Sequence, residues 1–257
     1  MFAFLLTLGA GLSTGIGSLV GVLSRRFRPS VLTLALSFSA GVMLFVSFVE
    51  IFPKARQALT PALGTSLAYL VAVVAFFAGM LVLALIDRLL PSHELTLLPL
   101  RDGADASALM RTGLFSALAI GIHNFPEGLA TFAAALSEPR LGIGIAIAIA
   151  IHNIPEGLAI SAPVYYATGS RRQAFLISLA SGLAEPVGAL VGYGLLRPLM
   201  SDLVLGLVFA SVAGIMIYIC LDELLPAAQR TGAHHHLMMG GVTAGMAVMS
   251  LSLVLLA

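Results

Sequence analysis

Long apolar runs separated by short polar breaks dominate the chain. Each run reaches the about 20 residues that an α-helix needs to cross a membrane, and far exceeds the about 9–11 residues of a barrel strand. Eight such segments are predicted, at residues 2–23, 31–52, 64–88, 108–136, 140–167, 172–196, 203–226 and 237–257. The pattern therefore predicts an all-α integral membrane protein in which residues 1–257 form a single transmembrane domain.

Composition supports this prediction and excludes several classes of protein. Hydrophobic residues make up 59% of the 257 residues and charged residues 10%, whereas soluble domains contain about 25% charged residues. A net charge of +1 leaves no basic surface to neutralise the phosphates of a nucleic acid. The single cysteine, Cys220, forms no internal disulfide or thiolate cluster, and we expect it to be a packing residue.

Lys and Arg side chains are divided unevenly between alternate breaks. One set of breaks contains nine of them and the other set contains four. Because the set richer in Lys and Arg is expected in the cytoplasm, both termini are expected outside it. No basic residue precedes Arg25, so we expect the first segment to be a retained helix rather than a removed signal peptide.

Two copies of one polar motif interrupt the fourth and fifth segments. HNFPEG begins at His123 and HNIPEG begins at His152. A charged side chain at the centre of a membrane helix costs about 2.5–3.5 kcal/mol even on insertion scales. Such side chains therefore persist where they face one another, water or a bound ion. In each copy His and Glu are four residues apart, so they share one side of the helix.

The spacing within each motif predicts the shape of a site. Asn124 lies three residues before Glu127, and Asn153 lies three residues before Glu156. Each glutamate can join its histidine on one side and its asparagine on the other, which favours two adjacent cation subsites that share carboxylates. The proline before each glutamate removes a backbone donor, and the glycine after it allows another backbone to approach.

The donor types indicate which ligand such a site would hold. Imidazole nitrogen combined with carboxylate and amide oxygen suits divalent Zn, Fe, Mn, Co or Ni. Glu185, in SGLAEP, is a further carboxylate deep in the sixth segment; it is either a ligand or a hydrogen-bonded packing residue. Glu50 is either part of the site or at the headgroups. Asp222 and Glu223 are interpreted as interfacial or gating charges rather than ligands.

Other polar and sulfur-containing side chains are expected to lie outside the site. The cluster His234–His236 and the single His93 fall in predicted loops. The cluster could receive an ion after its passage, although a solvated turn is the favoured interpretation. Met43 could offer a thioether, although ordinary packing is favoured.

These motifs resemble those of the ZIP family of metal transporters, named for its zinc- and iron-regulated members. HNFPEG is similar to the family's fourth-helix signature, HNIPEG to its fifth, and SGLAEP at 181–186 to the sixth-helix segment that supplies another glutamate. The resemblance covers essentially the whole chain and is closest to the compact bacterial branch. It implies inverted repeats of helices 1–3 and 6–8 around helices 4 and 5, an elevator-like motion, and a homodimer in a bacterial inner membrane.

The resemblance also implies a binuclear metal centre midway through the membrane, with no prosthetic group. One subsite would be formed by His123, Glu127, His152 and Glu156. The other would be formed by Asn124, Asn153 and Glu185, with Glu127 and Glu156 bridging the two.

The sequence therefore predicts a divalent metal importer and not an enzyme, with zinc as the leading substrate and iron, manganese, cobalt or nickel as others. Two alternatives remain at this point. An intramembrane metalloprotease also places His and Glu four residues apart, but neither motif has a second histidine on its helix in an HExxH arrangement. A metal-gated channel or a sensor without net transport is the second alternative.

Overall fold

The computed structural model describes residues 1–23, 29–89, 106–196, 201–230 and 234–256, and every element assigned in these ranges is helical. The α-helices in chain order are α1 (Phe2–Leu23), α2 (Pro29–Val46), α3 (Phe52–Leu63), α4 (Thr65–Leu89), α5 (Ala106–Ser137), α6 (Pro139–Thr168), α7 (Arg171–Gly182), α8 (Ala184–Leu196), α9 (Asp202–Ile219), α10 (Leu225–Arg230) and α11 (His235–Leu256). Two π-helical turns complete the set, at Ser47–Ile51 and Cys220–Leu224.

Seven helical stretches within the described ranges are long and apolar enough to cross a membrane. They correspond to seven of the predicted segments and confirm an all-helical, multi-pass membrane protein. The remaining predicted segment, 108–136, lies within α5, a helix of 32 residues that is not among those seven. The count of eight spans and the inverted-repeat arrangement therefore stay predictions.

Two helical stretches extend beyond their predicted ends. The sequence predicts ends at residues 52 and 226, but helix continues through α3 to Leu63 and through α10 to Arg230. A π-helical turn precedes Pro53 in the first stretch and Pro226 in the second. Because proline has no N–H, the backbone loses a donor, and the wider turn lets the helix continue past it. The predicted ends at residues 52 and 226 were therefore too early.

The sixth predicted segment, 172–196, is interrupted near its middle by a single turn residue. α7 ends at Gly182, Leu183 forms a turn, and α8 begins at Ala184. Glu185 consequently lies in the first turn of α8. The positive end of the helix dipole stabilises a carboxylate at that position.

Helix packing divides the molecule into two groups. The first helix group consists of α1, α5, α6, α7 and α8, and the second of α2, α3, α4, α9, α10 and α11; the closest packing occurs within each group. Contacts of α2 with α6 and of α5 with α9 join the two groups. All the residues of the predicted metal site lie on helices of the first helix group.

Glycines bring the helices of the first helix group into backbone contact. A Cβ atom at Gly157 would overlap the carbonyl oxygen of Thr14 in α1, and one at Gly128 would overlap the carbonyl oxygen of Glu185 in α8. The predicted close approach of other backbones at these two glycines is therefore confirmed. Because each glycine directly follows a motif glutamate, the contacts set the position of both carboxylates relative to α1 and α8.

Candidate metal centre

The histidines and glutamates of the two motifs pair across the interface between α5 and α6. His123 Nε2 lies 3.3 Å from Glu156 Oε1, and His152 Nε2 lies 3.2 Å from Glu127 Oε2. All four side chains are at most 1% exposed. Each histidine therefore pairs with the glutamate of the other motif. The prediction that α5 and α6 turn these side chains toward each other is confirmed.

The chemistry of these pairs leaves metal-binding atoms available. A carboxylate accepts hydrogen bonds when it is ionised, and the imidazole Nε2 would then carry the proton of each pair. In a neutral ring, Nδ1 then keeps its lone pair, the arrangement in which metal-bound histidines donate their other ring N–H to a carboxylate. Two carboxylates buried in one place repel each other, and a divalent cation would neutralise both.

Each of the seven predicted ligand residues has a buried polar atom that lacks a hydrogen-bond partner in the described part of the chain. These atoms are His123 Nδ1, Asn124 Oδ1, Glu127 Oε1, His152 Nδ1, Asn153 Oδ1, Glu156 Oε2 and Glu185 Oε2. Buried polar atoms in proteins are nearly always hydrogen-bonded. Within the described ranges only Thr14 Oγ1 and Ser18 Oγ share this property, so unpaired atoms are concentrated on the predicted ligands.

Backbone carbonyls orient the two asparagines. Asn124 Nδ2 donates to the carbonyl oxygen of Ser181 at 3.2 Å. Asn153 Nδ2 donates to the carbonyl oxygen of Ala10 at 3.0 Å and also to Glu185 Oε1. Because a carbonyl oxygen only accepts, it holds the amide nitrogen and turns Oδ1 away. The structure thus brings Asn153 and Glu185 into direct contact and leaves both amide oxygens unpaired.

The donors do not converge on one point in this conformation. In the ranges that the structure describes, no three His, Cys, Asp or Glu side chains are arranged to hold a metal ion as they stand. The imidazoles and carboxylates are hydrogen-bonded to each other instead. An arriving ion would therefore have to replace the two His–Glu hydrogen bonds with bonds to metal.

Glu50 lies outside this cluster. It belongs to the first π-helical turn and lines a cavity of about 310 Å³ together with Lys54, Glu138 and Arg140. Lys54 Nζ lies 3.6 Å from Glu138 Oε2. This ion pair joins α3 of the second helix group to the turn between α5 and α6 of the first.

Asp222 and Glu223 belong to the second π-helical turn and differ in their surroundings. The exposed Asp222 interacts by a hydrogen bond with Tyr218, one turn earlier. Glu223 is half-buried. The interpretation of both residues as interfacial or gating charges stays a prediction.

The remaining candidates among the described residues are not part of the centre. His234, His235 and His236 are exposed at the start of α11, and His93 lies outside the described residues. Met43 and Cys220 are fully buried in the apolar core. The Cys220 thiol lies 3.7 Å from the carbonyl oxygen of Ala40, consistent with the expected packing role of both residues.

Sequence reasoning missed the groups that hold the ligands in place. The carbonyl oxygens of Ala10 and Ser181 orient the asparagines, and Ser39 Oγ in α2 donates to the carbonyl oxygen of His152 at 3.2 Å. Every residue has a backbone carbonyl oxygen, so the sequence does not show which of them accepts a hydrogen bond from a ligand side chain. The available signal was the adjacent pair Ser13 and Thr14, in a helix whose other hydroxyl residues, Thr7 and Ser18, are isolated.

Comparison with known proteins identifies the family. A family profile described as ZIP zinc transporter matches residues 87–253. The chain belongs to the ZIP family. A zinc transporter ZupT from Chlorobium chlorochromatii (strain CaD3) is 59% identical over 262 residues, covering 99% of this chain and 97% of the relative. A zinc transporter ZupT from Lysinibacillus sphaericus (strain C3-41) is 56% identical over 264 residues, covering 100% and 98%.

Membership of the ZIP family confirms the resemblance on which the sequence prediction depended. It is a family of transporters, so the protein is not an enzyme, and the intramembrane metalloprotease is excluded. The matched range of the ZIP profile, residues 87–253, contains both motifs and Glu185.

Proposed function

We propose that the protein imports zinc into the cytoplasm across a bacterial inner membrane. Relatives named as zinc transporters match nearly the whole chain, which supports zinc as the substrate. The site supports it through one observation, the concentration of unpaired nitrogen and oxygen atoms on two facing motifs. Iron, manganese, cobalt and nickel accept the same donors and are proposed as further substrates.

The proposed centre binds two ions in adjacent subsites. The first subsite uses the side chains of His123, Glu127, His152 and Glu156. The second uses those of Asn124, Asn153 and Glu185, with Glu127 and Glu156 bridging. The crosswise pairs support this division, because they place both motif glutamates between α5 and α6. The contact of Asn153 with Glu185 supports the second subsite, because it joins α6 to α8.

Transport requires a change of conformation, because the ligand side chains are buried on all sides. We propose alternating access, in which the first helix group moves relative to the second, as the family's elevator-like motion implies. Binding of an ion neutralises the buried carboxylates and releases the His–Glu hydrogen bonds. The excess of Lys and Arg in one set of loops supports an orientation with both termini outside the cytoplasm. A homodimer is the proposed assembly.

Zinc uptake into proteoliposomes tests this function. Wild-type protein is expected to show saturable uptake of radioactive zinc, and H123A/H152A to lose at least about tenfold, because it lacks both imidazoles. The control H235A/H236A removes two exposed histidines outside the centre and is expected to keep wild-type uptake. Unchanged uptake in H123A/H152A would rule out the ligand assignment.

Two further measurements separate the remaining alternatives. Uptake that rises linearly with zinc concentration would indicate a metal-gated channel, and no uptake with intact binding would indicate a sensor. Labelling of single cysteines added at either terminus by a membrane-impermeant reagent tests the orientation. Labelling from the cytoplasmic side alone would overturn it.

A further inference from the structure

Two buried hydroxyls of α1 share the property that marks the predicted ligands. Thr14 Oγ1 and Ser18 Oγ are buried without a hydrogen-bond partner among the described residues. Neighbouring hydroxyls on the same helix are paired: Thr7 donates to the Ala3 carbonyl oxygen at 3.0 Å, and Ser13 donates to that of Ala10 at 2.6 Å. A buried unpaired hydroxyl is unfavourable, so its presence needs a physical reason.

The reason for Thr14 is that its usual acceptor is occupied. A Ser or Thr hydroxyl inside a helix normally bonds to the carbonyl oxygen four residues earlier, which for Thr14 is that of Ala10. This oxygen already accepts from Ser13 Oγ at 2.6 Å and from Asn153 Nδ2 at 3.0 Å. The helical N–H of Thr14 also points at this oxygen, which has only two lone pairs, so the Thr14 hydroxyl finds no free acceptor there.

Thr14 also lies between the groups that hold the two asparagines. Its Oγ1 would be 2.6 Å from a Cβ atom placed on Gly182, so the hydroxyl faces the end of α7. The residue before Gly182 is Ser181, whose carbonyl oxygen holds Asn124. One turn earlier on α1, Ala10 holds Asn153. The hydroxyl therefore faces the segment that carries the Ser181 anchor, and it lies one helical turn from the Ala10 anchor.

We infer that Thr14 supplies a hydroxyl oxygen to an ion in the subsite of Asn124, Asn153 and Glu185. This inference rests on the proposed function and extends it to α1, a helix with no predicted ligand. The other donors of this subsite are already oxygens, and Thr14 adds one more; oxygen donors favour harder divalent ions such as manganese over softer ones. Thr14 thus acts as a specificity-determining residue. Ser18 lies one turn further from Ala10 and serves as a comparison.

The variant T14V tests this inference because it keeps the branched shape and removes the hydroxyl. In metal-free protein the change removes an unpaired buried group, so the Tm of the full-length protein in detergent is expected to rise. Manganese affinity is expected to fall about fivefold, as for one lost polar contact, with a smaller fall for zinc. T14S keeps the hydroxyl and is expected to bind both ions like wild type.

The matched control is T7V, on the same helix and equally buried. It removes a paired hydroxyl, so its metal-free Tm is expected to fall while metal affinity stays unchanged. A structural role for Thr14 predicts the same pattern for T14V as for T7V, and that result would overturn the inference. So would unchanged manganese affinity in T14V.

The failure of the inference is distinguishable from that of the proposed function. If zinc binds wild type but not H123A/H152A, and T14V binds both metals normally, only the inference fails. If wild type binds neither zinc nor manganese, the proposed function fails and the inference with it. The S18A variant is expected to raise the metal-free Tm without changing affinity for either ion, and equal losses in S18A and T14V would contradict a specific role for Thr14.

Discussion

Glu156 Oε1 accepts a hydrogen bond from His123 Nε2 at 3.3 Å across the α5–α6 interface, not from His152, which lies four residues earlier on its own helix. This crosswise arrangement makes each buried pair a contact between helices. An ion that separates the pairs therefore changes the contacts that hold α5 against α6. The pairs also predict which double substitutions are energetically coupled.

A double-mutant cycle measures that coupling. Removing either partner of a buried pair leaves the other unpaired, so H123A and E156A are each expected to lower the free energy of unfolding by about 3–5 kcal/mol. The double variant H123A/E156A is expected to lose much less than the sum, whereas H152A/E156A is expected to be close to additive. Unfolding of metal-free protein in mixed micelles provides the measurement. Stronger coupling of His152 than of His123 to Glu156 would contradict the crosswise pairs.

The second subsite predicts a change in metal stoichiometry. E185Q keeps an oxygen that can accept from Asn153 Nδ2 but removes the negative charge. We expect wild type to bind two zinc ions per protomer in equilibrium dialysis and E185Q to bind one, because divalent ions favour ionised oxygen ligands. The control E138Q removes an exposed carboxylate and is expected to keep both. Two ions bound to E185Q at unchanged affinity would contradict the assignment of Glu185.

Helix packing predicts a sharp difference between two glycines. A Cβ at Gly157 would overlap the Thr14 backbone, whereas one at Gly9 has no atom within 4 Å. G157A is expected to lower the free energy of unfolding by about 1–3 kcal/mol through overpacking. G9A is expected to be neutral or stabilising, because alanine favours helix by about 1 kcal/mol over glycine. Equal effects of the two variants would show that the α1–α6 contact is not tight.

The Lys54–Glu138 ion pair predicts an effect on transport that is larger than its effect on stability. With exposed side-chain fractions of 32% and 54%, the pair contributes about 0–1 kcal/mol. If the helix groups separate at this end when zinc enters, K54M is expected to lower the apparent KM of uptake by up to about fivefold, because the competent state becomes more populated.

Two variants control for the loss of charge in K54M. K54E/E138K restores an ion pair in reversed order and is expected to return the KM toward wild type. R56M removes a nearby cation that lies 4.5 Å over the Tyr69 ring within the second helix group, so it is expected to leave the KM unchanged. A similar KM change in R56M and K54M would indicate a general effect of surface charge instead.

Two features were predictable from sequence: the membrane class, and the fact that His and Glu of each motif share one side of their helix. Both depend only on positions within one helix. Run length indicates a span, and a spacing of four places His123 and Glu127 on one side of α5. The partner of each histidine was not predictable, because it depends on the relative depth of two helices. That depth is set by backbone contacts such as Gly157 with Thr14.

The prolines show a second limit of sequence prediction. The predicted segments end at residues 52 and 226, beside Pro53 and Pro226, yet π-helical turns carry the helix past both. In a membrane a helix end exposes unpaired backbone groups, so a local widening is the less costly solution. Pro186 instead follows a single turn residue, Leu183. The residue type alone does not separate these outcomes, since the difference lies in which neighbouring groups satisfy the freed carbonyls.

The main-chain oxygen of Ala10 cannot be deleted by exchanging any side chain, so a scan of point variants along α1 would pass over it. The position of this oxygen depends instead on how many residues separate it from its neighbours along α1. Inserting one residue between Ala10 and Thr14 would turn everything beyond it by about 100° and move Thr14 away from α7, while the Ala10 carbonyl would still accept from Asn153. Insertions and deletions in this stretch are therefore expected to be tolerated far less well than substitutions at position 10.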